Sequence, residues 1–131
     1  MRLLLDTHVW LWSLIEPSRL NRRAATAIEE SANELWLSPV SVGEALLLCE
    51  KGRLESDTDA WGKISSSLEG GRFVEAALTF GVVQEAAGVR LPYRDPADRY
   101  LVATARFYDL TLVTADERLL EVPGLKALSA R

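Results

Sequence analysis

Four carboxylates stand where the chain passes from one element to the next. Asp6 follows the apolar run Leu3–Leu5 with no polar transition, and Asp116 follows the apolar "LTLVT" in "LTLVTADERLL". Glu44 falls in the expected first turn of a helix within "SPVSVGEALL", after the apolar "LWL". Asp98 falls in the first turn of a helix opened within "RDPADRYLVATA". A charge at the end of a core strand is expensive unless something there requires it. Strand ends and helix starts share one edge of a βαβ layer, so all four acids can meet there. Four acids in one pocket cannot all stay ionised unaided, because like charges raise one another's pKa. A divalent cation resolves that conflict, and hard oxygen donors select Mg2+ or Mn2+. With His8 the only histidine and Cys49 the only cysteine, a zinc site is not expected.

Each acid also has a purely structural account. Glu44 lies three residues after Ser41, so "SVGE" matches a capping box. Asp98 lies three after Asp95, with Pro96 at the first helical position, which is a helix start. Asp6 and Asp116 can cap the segments that follow them. Taken together these accounts weaken, since capping does not explain why two of the acids end apolar strands.

The elements that must position these residues alternate. Strand-like runs occur at Leu3–Leu5, Leu35–Leu37 and Leu110–Val113, with weaker ones at Phe73–Glu75 and Leu125–Leu128. Helical patterns fill the gaps: Val9–Ile15 ended by Pro17, a helix from Asn21 through Ser31, and Ser41–Lys51 stopped by Gly52. Another, capped by Asp57 or Asp59, carries Trp61, Ile64 and Leu68; the last two run Thr79–Gly88 and onward from Asp95-Pro96. This alternation predicts an α/β domain over residues 1–131 with a mostly parallel central sheet of four to five strands flanked by helices. The 131 residues suffice for one full core, and no run approaches the length of a membrane span. Asp6 interrupts the apolar start before a signal peptide can form, and the single cysteine suits a reducing cytoplasm. The net charge of −4 excludes a broad cationic grip on nucleic acid, so any such contact must be local. Trp10, Trp12, Trp36 and Trp61 serve core packing, a dimer face or both.

The segments "LLLDTHVWLW", "SPVSVGEALLLCEKGRL", "RDPADRYLVATA" and "LTLVTADERL", in that order and spacing, resemble the PIN-domain nucleases, and within them the VapC-type ribonuclease toxins of bacterial toxin–antitoxin pairs. The resemblance covers nearly the whole chain and implies a PIN-like three-layer sandwich. It implies that Asp6, Glu44 and Asp98 are the core acids and Asp116 the fourth, with Thr7 and Thr114 supporting them through their hydroxyls. Within "DPADR" it assigns the second acid, Asp98, and leaves Asp95 as a cap. There are departures. His8 stands where the wider family often has Asn, a variant compatible with a "DTH" subgroup, and it either orients Asp6, caps the first helix or ligates metal. Gly43 replaces a frequent aromatic. Leu48 stands where a Lys often lies, a loss that Lys51 or Arg53 could make good.

What the resemblance implies is metal-assisted hydrolysis of RNA, with 5′-phosphate and 3′-hydroxyl products and no side-chain nucleophile. It also implies a small antitoxin that can insert a basic side chain among the acids, and a toxin homodimer. Basic residues available for RNA are Arg19, Arg22, Arg23, Lys51, Arg53, Arg94 and Arg99, each equally well read as part of a solvated face. Two further readings stay open: a housekeeping RNA-processing nuclease and a silent PIN-like binding module. A phosphatase of the haloacid-dehalogenase kind fits poorly, since its second acid would have to stand where His8 does.

Overall fold

The computed structural model describes residues 1–52 and 59–131. Five strands, β1 (Arg2–Leu5), β2 (Glu34–Leu37), β3 (Phe73–Glu75), β4 (Thr111–Thr114) and β5 (Ala127–Ser129), form one sheet in the order β3-β2-β1-β4-β5. Every pairing in it is parallel. The helices are α1 (Thr7–Ile15), α2 (Arg22–Glu29), α3 (Pro39–Glu50), α4 (Ala60–Glu69), α5 (Phe80–Ala86), α6 (Pro96–Phe107) and the short α7 (Glu117–Leu120), with a 3-10 turn at Pro17–Arg19.

The apolar run at the start is continuous because β1 lies at the centre of a sheet covered on both faces. Alternate side chains enter opposite layers. Leu3 and Leu5 join Val9, Trp10, Ala45 and Ile64 on the face carrying α1 to α4. Leu4 joins Val82, Leu101, Val102 and Leu119 on the face carrying α5 to α7. All three leucines are fully buried. The result is the expected three-layer sandwich.

Helix starts follow local chemistry. Asp6 caps α1 by accepting from the Thr7 backbone N–H at 2.7 Å, and Asp95 caps α6 by accepting from the Asp98 N–H at 3.1 Å. Asp59 takes the N-cap position of α4, while Asp57 and Arg53 lie outside the described residues. The helix expected from Ser41 begins earlier, at Pro39, with Ser38 as its cap accepting from the Val40 N–H at 3.1 Å. Leu37 still pairs with Glu75 in the sheet, so only Ser38 is left to turn the chain, and the fixed φ of Pro39 suits a first helical position. The Ser41 hydroxyl is therefore buried without a hydrogen-bond partner, and the Ser41–Glu44 capping box does not form. Glu44 lies in the second turn of α3, not the first.

The four tryptophans divide. Trp10 is fully buried, Trp12 packs between the guanidinium groups of Arg19 and Arg131, Trp36 lies against Arg2 and Tyr108, and Trp61 is 38% exposed. No helix among the described residues is long and apolar enough to cross a membrane.

Candidate active site

Strand order places the switch point of the sheet at β1. The chain adds β2 and β3 on one side of it, then returns to place β4 and β5 on the other. Parallel α/β sheets open a crevice at the carboxyl ends of the strands beside such a point. Asp6 is the first residue beyond β1, and Thr114 ends β4. The register pairs Leu5 with Val113, so the next residue on each strand is brought side by side. The Asp6 backbone N–H donates to the Val113 carbonyl at 3.0 Å, and the Thr114 hydroxyl donates to Asp6 Oδ2 at 2.7 Å. The same hydroxyl accepts from the Asp116 N–H at 3.0 Å. Thr114, fully buried, thus ties the two strand-end acids together.

Thr7 does similar work at the other flank. Its buried hydroxyl donates to Glu44 Oε1 at 2.5 Å, joining the start of α1 to the second turn of α3. Leu48, one turn beyond Glu44, packs against the core. Lys51, at the end of α3, lies about 10 Å from Glu44 along the axis, at about 1.5 Å rise per residue, and makes no ion pair among the described residues. His8 is exposed, with its ring tilted against Trp12 at 6.1 Å between centroids, and its charge favours the ionised form of Asp6.

The acids influence one another. Burial raises the Asp6 carboxyl above its usual value, opposed chiefly by the hydrogen bonds from Thr114 and Thr7, while the charge of Asp116 adds to the rise. Burial pushes Asp98 up to about 6, and the charges of Asp95, Asp6 and Asp116 push the same way against the hydrogen bond from Tyr93. Asp116 moves in the opposite direction, because the Arg118 side chain holds it ionised. Asp116 thus acts on Asp6 and both act on Asp98, which groups these three acids at the carboxyl edge of the sheet, with Glu44 linked to it through Thr7. As the side chains stand, no three acidic, His or Cys groups among the described residues enclose an ion-sized position. Asp98 is turned to Tyr93 and Asp116 to Arg118. The donor set is nonetheless hard oxygen throughout, and two of its members carry charge that burial disfavours, which suits a small divalent cation.

Two residues of this pocket were not expected from the sequence. Tyr93 donates its hydroxyl to Asp98 Oδ2 at 2.9 Å. Arg118 grips Asp116 with Nε at 3.1 Å to Oδ1 and Nη2 at 2.8 Å to Oδ2, while its guanidinium lies 3.9 Å from the centre of the Tyr93 ring. Arg118 had one available signal, its position two residues after an acid that caps a helix. Tyr93 had none, since it sits in the bend at Pro92–Tyr93 and reaches Asp98 only across the start of α6.

The chain was compared with known proteins. The model of the PIN domain matches residues 3–125. Ribonuclease VapC22 of Mycobacterium tuberculosis is 38% identical over 121 residues, covering 88% of each chain. Among solved structures, VapBC2 from Rickettsia felis bound to a promoter DNA fragment superposes with a TM-score of 0.77 at 15% identity, over the whole of both chains. DNA-bound VapBC from Salmonella typhimurium gives 0.70 at 14% identity, covering 100% of this chain and 99% of that one. At such identities these two speak to the fold alone. The family model spans nearly all of the chain and one relative is alike throughout, so the chain belongs to the PIN-domain family.

Proposed function

We propose that this protein is a divalent-metal-dependent endoribonuclease, the toxin of a type II toxin–antitoxin pair acting in the cytoplasm. The observation that supports the reading is that Asp116 raises Asp6 and that both raise Asp98, at the carboxyl edge of the sheet beside its switch point. The likeness to a ribonuclease of the VapC group supports RNA as the substrate. The VapBC complexes among its structural neighbours support a small antitoxin partner.

Asp6, Asp98 and Asp116, with Glu44 beside them, would hold Mg2+ or Mn2+. The bound ion would supply an acidified water and neutralise charge on the scissile phosphate. The chain's own residues set the stage for that. Thr114 and the Thr7 N–H oppose the rise that burial imposes on the Asp6 carboxyl and fix its direction. Thr7 orients Glu44, and Tyr93 orients Asp98. Arg118, gripping Asp116, would be the guanidinium beside the acids available to a substrate phosphate. A homodimer is proposed as well, because Phe80 is 91% exposed and Leu46 and Leu47 leave apolar surface on α3.

The test is incubation of the purified protein with total RNA, with Mg2+ or Mn2+ and with chelator, followed by mapping of the cut ends. Cleavage should require the metal, leave 5′-phosphates and vanish in Asp6→Asn. An Asp6→Asn variant that cuts as fast as the parent ends the mechanism. Expression alone should arrest growth, and a small co-expressed partner should relieve it; unimpeded growth would point to the housekeeping role.

A further inference from the structure

Three arginines border a groove of about 740 Å³ between α5, the segment that follows it and α6. They are Arg90, Arg94 and Arg99, all with exposed side chains. Among the other described arginines, Arg2, Arg19 and Arg118 pair with Glu34, Glu16 and Asp116, whereas Arg22, Arg23, Arg72, Arg106 and Arg131 make no ion pair among the described residues. The three in the groove make no ion pair among the described residues. Arg99 spends its Nε on the Ala86 carbonyl at 2.9 Å, and Arg90 spends Nη1 on the carbonyls of Ala87 and Val89, which fixes both stems and leaves charge facing the groove. Asp95 is the only carboxylate in the lining. A local excess of positive charge thus sits in a chain of net charge −4.

Place and shape matter as much as sign. Tyr93 belongs to the groove wall and also donates to Asp98, so one wall of the groove is tied to an acid of the site. Tyr100 adds a second aromatic wall. Guanidinium groups along a channel with aromatic faces between them are the means by which proteins hold single-stranded nucleic acid.

Resting on the ribonuclease reading above, we propose that this groove is the track for the RNA strand adjoining the scissile bond. Arg90 and Arg94 contact its phosphates, Tyr93 and Tyr100 offer faces for its bases, and Arg99 anchors α6 to α5 beside it. The acid pocket then cuts where the track ends. The strand must be single, because the aromatic walls can stack only bases freed from pairing.

The test measures salt dependence of binding in the Asp6→Asn background, with a fluorescein-labelled single-stranded RNA of about 20 nucleotides. Each phosphate contact on a single strand contributes about 0.7 to the slope of log affinity against log salt. Arg90→Ala with Arg94→Ala should lower that slope by about 1.4, so that between about 50 and 200 mM salt the parent loses about sevenfold more affinity than the variant. Arg2→Ala with Lys126→Ala makes the same charge change beside the amino ends of β1 and β5, at the edge of the sheet away from the acids, and should leave the slope alone. In the cleavage-competent protein the groove pair should raise KM and spare kcat. Equal slopes for the groove variant and the parent, or an equal fall in the Arg2/Lys126 control, overturn the proposal. So does a groove variant that binds RNA normally but releases a co-purifying acidic polypeptide, which would give the groove to a protein partner. The two readings fail separately. If the parent shows no metal-dependent cleavage sensitive to Asp6→Asn, the ribonuclease reading falls; if it cleaves and the slope does not move, only the track does.

Discussion

Asp98→Asn should stabilise the protein at neutral pH while abolishing its activity. The Asp98 carboxyl sits at about 6 instead of 3.8, because burial and three neighbouring acids disfavour its charge. A carboxyl raised by folding binds its proton more tightly in the native state. Stability therefore falls as pH rises from about 4 through about 6, and stays lower above that. The displacement would amount to about 3 kcal/mol if no water reached the group. Asp98 is only half-buried, so screening reduces this to about 1 kcal/mol. Asparagine keeps the acceptor oxygen for Tyr93 and carries no charge. At pH 7.5 the variant should melt about 3–5 °C above the parent, and at pH 4 the two should coincide. Added Mn2+ should invert the order: at a free concentration near 100 times its Kd the ion stabilises a binding-competent parent by about 2.7 kcal/mol. Calorimetric melts at the two pH values, with chelator and with Mn2+, measure all of this. A variant that melts at or below the parent at pH 7.5, or gains equally at pH 4, refutes the claim that Asp98 stands in uncompensated negative potential.

Three other expectations follow from named contacts. Ser38→Ala should cost about 1 kcal/mol as a lost helix cap, whereas Ser41→Ala should be neutral or stabilising because its hydroxyl is buried without a partner; urea unfolding of both would expose a wrong helix start if the effects were reversed. Thr114→Val keeps the side-chain volume but removes the donor to Asp6 and the acceptor for the Asp116 N–H. It should destabilise by about 1.5–3 kcal/mol, with Thr114→Ser restoring most of the loss, and a change within experimental error would remove Thr114 from the site. Tyr93→Phe deletes a hydrogen bond that opposes the rise at Asp98, so the pH at which cleavage reaches half its plateau should move upward; an unmoved acid limb would show that the phenol does not act on Asp98.

Much of the fold was readable because its signals are local. Apolar runs without alternation marked strands buried on both faces, as Leu3–Leu5 proves to be. Asn21, Thr79 and Asp95-Pro96 marked helix starts that form as expected. The miss at α3 has a physical cause. "SPVS" offers two serines three residues apart, each able to cap, and the choice was made by the pairing of Leu37 with Glu75, a contact between strands nearly forty residues apart. The last strand forms at Ala127–Ser129, later than its apolar residues suggested, because Leu112 pairs with Ala127.

Asp6, Asp98 and Asp116 stood out in the sequence because each lies at the edge of an element, whereas Glu44 falls in the second turn of α3. What completes the pocket did not stand out, because its members meet only through tertiary register: Thr114 reaches Asp6 across a β1–β4 pairing, and Tyr93 reaches Asp98 across the start of α6. The unexpected Arg118 changes how the pocket must be read. Family resemblance implied that a partner's basic side chain enters among the acids, yet this chain already places a guanidinium on one of them. Asp116 is accordingly held ionised, while Asp6 and Asp98 are pushed toward their protonated forms. An arriving cation, whether a metal ion or a partner's side chain, gains least at Asp116, where it must compete with Arg118. It gains most between Asp6 and Asp98, neither of which is in an ion pair among the described residues. The two acids most in need of a cation are the ones tied to β1 and α6, so occupation of the pocket should draw those two elements together and leave α7 as it is.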